Sequence, residues 1–275
     1  MINSLHGVFR GDDLKARAWR GTLFTIIVFG SQNLLRLISN LILTRLLFPE
    51  AFGLMAIVFT VQTGISLMAD LGARISIIQH KEGDNPDFLN TAWILQIRRS
   101  VIIAILIWIA ARPVAAFYEH EILAEILIFI GFAVVLQGFL STKLPQSERN
   151  LELGRVTLVQ ISVQLLSLAM TVVLALWLRS VWALVYGYLA NELILVTMSH
   201  LVLRGHNNRF TFNTRYAWEI VNFGVFIFLS SIAGFLIAQG DRVILGKIST
   251  LEELALYNIG YFLAAVPLLL ARALT

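Results

Sequence analysis

Polar and charged side chains recur at helical spacing inside long apolar segments of this sequence. Arg36 stands near the middle of the first segment, and Asn33 and Asn40 fall on the same face of the predicted helix. A charged side chain at the centre of a membrane-spanning helix costs roughly 2.5–3.5 kcal/mol, so it is retained where it serves a ligand or ion pathway. The stripe therefore predicts a wet, positively charged cavity of the kind found in transporters.

Two further segments carry polar stripes, and a third carries a lone acid. Asp70 and Arg74 are four residues apart, so Asp70 is either a proton- or sodium-linked carboxylate or the ion-pair partner of Arg74. Gln160 and Gln164 either offer hydrogen bonds to a ligand or join neighbouring helices, at about 0.6–2 kcal/mol per bond. Glu192, beside an asparagine in a later segment, is a second candidate for ion coupling.

The depth of each arginine decides between two interpretations. Arg74, Arg98 and Arg99 lie within about two turns of a predicted helix end, so each side chain either faces the cavity or extends to water along its apolar stem. Arg36 lies roughly 16 Å from either end of its segment and must face protein or a water-filled space. The five histidines fall in loops or at segment ends without metal-ligand spacing, and cysteine is absent, so we expect neither a metal nor a cofactor.

The composition indicates that these stripes lie in a membrane. Hydrophobic residues make up 58% of the chain and charged residues 14%, with a mean hydropathy of +0.79, whereas soluble domains are about a quarter charged. We therefore expect an all-α integral membrane protein with about eight transmembrane helices. The predicted spans are 21–47, 51–79, 90–111, 122–144, 155–178, 181–203, 216–239 and 251–274.

The basic residues lie between the spans, so they predict orientation and not a nucleic-acid partner, despite a net charge of +4. With residues 1–20 taken as a cytoplasmic amphipathic lead-in, twelve basic residues face the cytoplasm and five face outward. The twelve are Arg10, Lys15, Arg17, Arg20, Lys81, Lys143, Arg149, Arg155, Arg204, Arg209, Arg215 and Arg272; the five are Arg45, Arg112, Arg179, Arg242 and Lys247. Both ends of the chain are therefore expected in the cytoplasm.

Several short motifs in order along the chain resemble polysaccharide transporters of the MOP flippase superfamily. They include RLLFPEAFGLM from Arg45, Asn90-Thr-Ala-Trp93, GDRVILGK from Gly240 and YNIGY from Tyr257. Each motif alone is weak, but the ordered set extends from about Gly21 to the end of the chain. Within the superfamily the sequence is most similar to the Wzx-type flippases of lipid-linked oligosaccharides for exopolysaccharide and O-antigen export.

This resemblance implies two six-helix lobes around a central cavity, with twelve or more spans. The chain departs from that plan because it has about eight. Residues 21–203 would form the first lobe, 204–215 a cytoplasmic linker, and 216–275 the first two helices of an incomplete second lobe. We expect a truncated protein, with a homodimer that completes the cavity as the less favoured alternative.

The implied substrate is an oligosaccharide on a polyprenyl pyrophosphate, carried across the bacterial inner membrane by alternating access and without bond chemistry. Guanidinium groups match phosphate oxygens bidentately, so Arg36 is the first choice for this group, and Arg74, Arg98 and Arg99 are its expected partners. The amides Asn33, Asn40, Gln160 and Gln164 would bind sugar hydroxyls. Membrane lipids and polysaccharide assembly proteins are the other expected partners.

Two other classes stay open at this stage. A drug or cation antiporter of the same superfamily would need acidic residues in the cavity, whereas the stripes here are cationic or neutral. A membrane-embedded polymerase or glycosyltransferase would be expected to show a large outer loop or a carboxylate and histidine constellation, and the sequence shows neither.

Overall fold

The computed structural model describes residues 37–68 and 72–274, together with Gly30 and Leu35. Every regular element in this part of the chain is an α-helix. In chain order the helices are α1 (Leu37–Leu46), α2 (Pro49–Met68), α3 (Ala73–Gln79), α4 (Pro86–Tyr118), α5 (Ile122–Gly138), α6 (Lys143–Arg149), α7 (Leu153–Leu178), α8 (Trp182–Leu201), α9 (Thr214–Ile248) and α10 (Leu251–Leu274). Three predicted site residues, Asn33, Arg36 and Asp70, and the predicted lead-in 1–20 lie outside the described residues.

The start of α4 shows how the sequence fixes a helix boundary. The Oδ1 of Asn85 accepts a hydrogen bond from the backbone N–H of Asp87 at 2.9 Å, which satisfies one of the free donors of the first turn. Pro86 occupies the first turn, where its missing N–H costs nothing, and Asp87 adds negative charge at the positive end of the helix dipole. Helix α4 therefore begins at a well-capped position, four residues earlier than the predicted span.

The predicted span 51–79 is wrong as a single helix. Gly72 adopts a left-handed conformation with φ of 61°, and the short helix α3 starts after it. Glycine adopts this conformation without the steric cost that a Cβ atom would impose. Arg74 therefore lies on a separate helix from α2.

The predicted span 122–144 is also interrupted. Helix α5 ends at Gly138, and α6 continues after a short break at an angle of 56°. By length and composition, three described helices are able to cross a membrane, namely α2, α4 and α7, or four if α5 and α6 form one bent span. The protein is thus a multi-pass helical membrane protein, whereas the count of about eight spans and the two-lobe division stay predictions.

The apolar core lies where α2, α4, α5 and α8 meet. One cluster of buried side chains includes Ile57, Ile107, Ile130 and Val185, which are each less than 2% exposed. The backbones approach closely at Gly138, where a Cβ atom would lie 1.8 Å from the hydroxyl oxygen of a serine on α4. Small residues at such crossings allow tight packing between transmembrane helices.

The outward surface of α7 is apolar. Its exposed side chains include Leu158, Leu165, Val173 and Trp177, with Trp177 81% exposed. In water this surface would be unfavourable, so it is the face that we expect to contact lipid. The polar side chains described below lie on other helices or on the inner face of α7.

Candidate functional site

A cavity of about 1180 Å³ lies between the helices and is lined by side chains from most of them. Its polar lining comes from both halves of the chain. The polar side chains are Asn40, Thr60, Gln62, Thr63, Ser66, Arg74, Gln96, Arg99, Ser100, Gln137, Tyr188, Gln239, Arg242, Asn258 and Tyr261. The charged side chains among the described lining residues are Arg74, Arg99 and Arg242.

Arg99 of α4 holds one wall of this cavity. Its Nη2 donates to the backbone carbonyl of Ser66 at 3.0 Å, which ties α4 to α2. One turn earlier, Gln96 donates from Nε2 to the carbonyls of Gly138 and Leu140 at 3.0 and 3.1 Å. The amide of Gln96 therefore satisfies carbonyls at the end of α5, and Arg99 is one of two predicted arginines that line the cavity, with Arg74.

Arg242 of α9 is a cavity residue that the sequence did not reveal. Its Nη1 donates to Oε1 of Gln239 at 2.6 Å, and its Nε donates to Oδ1 of Asn258 at 3.0 Å. The guanidinium carbon lies 4.3 Å from the ring centroid of Tyr261, a cation–π contact. These contacts hold the guanidinium against the cavity wall at the interface of α9 and α10.

The orientation analysis assigned Arg242 to an outer loop, and this assignment is wrong. The predicted helix stopped at residue 239, whereas α9 extends to Ile248. The run of Gly240 and Asp241 looked like a turn, but a long helix tolerates one glycine at a cost of about 1 kcal/mol relative to alanine. Arg242 therefore lies inside a helix and faces the cavity.

The two cavity arginines lie at different depths. The starts of α4 and α9 lie side by side, since Asn85 donates to the hydroxyl of Tyr216 at 3.2 Å. At 1.5 Å per residue, Arg99 lies roughly 20 Å along α4 from its start and Arg242 roughly 42 Å along α9 from its start. The cavity thus carries guanidinium groups at two levels, separated by roughly 20 Å along the helices.

Arg74 and Arg98 have other contacts. Arg74 lines the cavity but forms a two-point ion pair with Glu148 of α6, with N–O distances of 3.0 and 2.5 Å. Its side chain is 64% exposed, so it lies at an edge of the cavity. Arg98 is exposed and stacks over Phe212, with its guanidinium carbon 4.6 Å from the ring centroid, and it is absent from the cavity lining.

The predicted amides separate into different places. Asn40 lines the large cavity, whereas Gln164 lines a second cavity of about 290 Å³ between α1, α7 and α8. Gln160 is half-buried on α7 and lines neither of these two cavities. Glu192 is 4% exposed, and Asn191 donates to its Oε1 at 3.3 Å. The structure thus brings Asn40 and Arg99 to one site but not Gln160 or Gln164.

Arg149, which was predicted to face the cytoplasm, joins several elements at one end of the described structure. The Nη1 of Arg149 donates to the carbonyls of Ile77, Ile78 and His80 at 3.1, 2.9 and 2.6 Å, and its Nε pairs with Asp84 at 3.1 Å. These bonds satisfy carbonyl groups at the end of α3. Arg149 therefore fastens α6 to α3 and the loop that follows it.

The segment 204–213, which connects α8 to α9, is fixed to the same end. The buried Asn90 accepts from the ring Nε2 of His206 at 2.9 Å and from the backbone N–H of Arg209 at 2.8 Å, and it donates to Thr211 at 2.7 Å. Burial, followed by the charge of Arg209, holds the pKa of His206 below its usual value. The predicted linker is thus anchored to α4 by side-chain hydrogen bonds.

The opposite end carries a single described ion pair between helices. Lys247 pairs with Glu119 at 2.7 Å and donates to the carbonyl of Phe117 at 2.7 Å. The ammonium group of Lys247 lowers the pKa of Glu119. Arg149 and Lys247, which the sequence assigned to opposite faces, therefore lie at opposite ends of the described structure, while the side that faces the cytoplasm stays a prediction.

Comparison with known proteins identifies the family. Residues 42–274 match the model of a family described as polysaccharide biosynthesis protein. The chain belongs to this family. Its resemblance to polysaccharide transporters, drawn from the motifs, is confirmed.

Three curated relatives match most of the chain. The lipopolysaccharide biosynthesis protein WzxC of Escherichia coli (strain K12) is 22% identical over 88% of this chain and 49% of its own length. The teichuronic acid biosynthesis protein TuaB of Bacillus subtilis (strain 168) is 19% identical over 74% of this chain and 42% of its own. The succinoglycan biosynthesis transport protein ExoT of Rhizobium meliloti (strain 1021) is 21% identical over 85% of this chain and 47% of its own.

The chain spans about half the length of these curated relatives. No solved structure matches it. Among the described residues, no group of three or more histidine, aspartate or glutamate side chains is arranged to hold a metal ion. This member of the polysaccharide biosynthesis family is therefore a multi-pass helical protein with a large polar cavity, and its relatives act in polysaccharide synthesis and transport.

Proposed function

We propose that this protein contributes the cavity of a transporter that moves a polyprenyl-pyrophosphate-linked oligosaccharide across the bacterial inner membrane. The observation that carries the proposal is a cavity of about 1180 Å³, inside a polysaccharide-family membrane protein, with Arg99 and Arg242 in its wall. The pyrophosphate is the part of such a lipid that hydrocarbon excludes most strongly, because it is doubly charged. Fixed guanidinium groups offset that cost.

The cavity wall supplies a suitable partner for each part of the ligand. Arg99 and Arg242 present planar donors that fit phosphate oxygens, and this geometry favours arginine over lysine. Asn40, Gln137 and Asn258 line the same space and offer amides to sugar hydroxyls. Arg36 and Asn33, the deepest candidates of the first segment, stay in the proposal although they lie outside the described residues.

Arg99 and Arg242 lie at different depths, and this arrangement suits a substrate that moves across the membrane. In an alternating-access cycle, the pyrophosphate would be held by one guanidinium near each end of the cavity while the prenyl tail stays in lipid. Asp70 and Glu192 are the proposed sites at which an ion drives this cycle. No covalent bond changes, so the protein is a transporter and not an enzyme.

A cation-exporting transporter of the same superfamily is the alternative. Such a protein would present carboxylates to its cargo, whereas the described lining of the large cavity holds arginines and no acidic side chain. This charge pattern disfavours cationic cargo. The polysaccharide-linked anion is therefore the better-supported ligand.

The proposal is tested by binding of a polyprenyl pyrophosphate oligosaccharide to the protein in lipid nanodiscs. Arg99→Gln and Arg242→Gln should each weaken binding roughly ten- to a hundred-fold, since a charge-assisted contact contributes about 1.5–3 kcal/mol. Arg98→Gln is the matched control, because Arg98 neighbours Arg99 in the chain but stacks on Phe212 outside the cavity.

Two results would contradict the proposal. One is equal loss of binding in the Arg98 and Arg99 variants, which would indicate a nonspecific surface effect. The other is equal affinity of the wild-type protein for the pyrophosphate lipid and for a polyprenol of the same length, which would mean that the cavity does not recognise the anion.

A further inference from the structure

Glu192 is a carboxyl group in the middle of α8 that the cavity contacts do not explain. It lies roughly 15 Å from either end of the helix at 1.5 Å per residue, and it is 4% exposed. Asn191 donates to Oε1, but Oε2 is buried and has no hydrogen-bond partner among the described residues. Among the described residues, no basic side chain forms an ion pair with it. A carboxylate in this position costs several kcal/mol, and uptake of a proton removes that cost.

Charged groups on the described parts of the neighbouring helices are remote. Helix α8 packs against α5, α6 and α7 and also contacts α1 and α2. The charged side chains in the described parts of these helices lie at or near helix ends: Arg45, Glu50, Glu125, Lys143, Glu148, Arg149 and Arg155. The ammonium group of Lys143 bonds to the carbonyl of His200, which lies roughly 12 Å along α8 from Glu192. The titratable neighbour that remains is Tyr188, one turn earlier on the same helix face.

Tyr188 connects Glu192 to the large cavity. Its hydroxyl accepts a hydrogen bond from Nε2 of Gln62 at 2.8 Å, and both side chains line that cavity. Phe59 packs edge-on against the Tyr188 ring with a centroid distance of 5.2 Å. Tyr188 and Asn191 also line the smaller cavity of about 290 Å³. A change of charge at Glu192 therefore acts one turn away on the contact that joins α8 to α2.

We propose that Glu192 is a proton-binding site within the membrane whose protonation state controls the Tyr188–Gln62 contact in the cavity wall. This inference rests on the proposed transport function and names the ion and one coupling residue. With the proton bound, the carboxyl group is neutral and α8 stays packed as in the structure. After the proton leaves, the Tyr188 hydroxyl is the group through which the new negative charge reaches the cavity wall and alters the contact with Gln62.

Dicyclohexylcarbodiimide provides a test that needs no transport. This apolar reagent takes the proton of a buried carboxylic acid onto one nitrogen while a carboxyl oxygen bonds to its central carbon, and the adduct rearranges to a stable N-acylurea. Peptide mass spectrometry of the protein in nanodiscs should find Glu192 modified in acidic buffer and several-fold less modified in alkaline buffer. Glu192→Gln should lose this adduct, and Glu125→Gln should retain it.

A second measurement tests the connection to the cavity. Tyr188→Phe keeps the ring but removes the hydroxyl, so it should shift the pH at which Glu192 modification is lost. Tyr186→Phe is the control, because Tyr186 packs instead against Phe129 and Trp182. A shift in neither variant, or an equal shift in both, would overturn the role of the Tyr188–Gln62 contact.

Two outcomes of the labelling would overturn the proton site itself. One is modification that does not change with pH. The other is suppression of modification by sodium at constant pH, which would assign the site to a metal cation. Because labelling does not depend on Arg99 or on any substrate, its failure leaves the binding test of the proposed function unaffected.

Discussion

The arginines of this protein fall into two regions with different surroundings. At the end formed by α3, α6 and the 204–213 segment, Arg149 donates to four backbone carbonyls and pairs with Asp84. In the cavity, Arg99 and Arg242 contact a carbonyl, amides and an aromatic ring while they border open space. The first region uses its charge to fasten helices, whereas the arginines of the second border the large cavity.

Because of this difference, substitutions in the first region should affect the stability of the protein and substitutions in the second should affect ligand binding. Removal of an arginine that satisfies several carbonyls leaves those groups unpaired, so the effect should appear in the unfolding temperature. Removal of a cavity arginine should appear in ligand affinity, with a smaller change in stability. Substitutions confined to one region therefore test whether its arginines affect mainly stability or mainly ligand affinity.

The largest expected effect is an all-or-none difference in chemical labelling between the two ends. The chain has no cysteine, so single cysteines can be introduced without background. A membrane-impermeant thiol reagent added outside intact cells should label cysteines at Arg112 and Arg179 and spare those at Lys81 and Arg155, because the basic end is predicted to face the cytoplasm. The reversed pattern would show that the assigned orientation is inverted.

Arg149→Ala should destabilise the protein by about 2–4 kcal/mol, since hydrogen bonds from a charged donor contribute about 1.5–3 kcal/mol each and the two hydrogens of Nη1 are shared among three of the four carbonyls that lose a donor. Thermal unfolding in detergent measures this as a clear fall in the midpoint. Arg155→Ala is the control: its ion pair with Glu152 is exposed on both sides and should contribute roughly 0–1 kcal/mol. Equal effects of the two changes would remove the distinction between fastening and surface arginines.

A smaller effect should follow acidification at His206. Its pKa is lowered in the folded protein, so its contribution to stability is complete above the ordinary histidine value and is lost as pH falls through the folded pKa. Tryptic cleavage of the 204–213 segment should therefore accelerate below about pH 6.5. In His206→Gln this acceleration should be reduced, whereas the same change at His120, at the opposite end, should preserve it.

The helix pattern was predictable where a span is long, apolar and uninterrupted. The predicted spans 155–178 and 181–203 differ from α7 and α8 by two residues or fewer at each end. The breaks after α2 and α5 were missed because apolar residues continue on both sides of them, and the polar residues between, such as Asp70 and Lys143, were counted within the spans. At Gly72 the deciding factor is one left-handed residue, which hydrophobicity does not report.

The sequence predicted that a cationic cavity exists but not which residues line it. Polar stripes indicated a cationic cavity, and Asn40 and Arg99 do line one. Adjacent residues on a helix point about 100° apart, so the sequence alone does not decide whether Arg98 or Arg99 faces inward. Arg242 was missed because its partner Asn258 comes from the next helix, and only the packing of α9 against α10 brings the two together.

Protection of a cavity cysteine by the substrate tests the central claim most directly. Thr63 lines the large cavity, whereas Leu165 lies on the exposed apolar face of α7. Thr63→Cys should react with a charged thiol reagent, and a polyprenyl pyrophosphate oligosaccharide should slow this reaction more than a polyprenol of equal length; Leu165→Cys should not react. An unreactive Thr63→Cys, or equal protection by the two lipids, would contradict a water-filled cavity that holds the pyrophosphate.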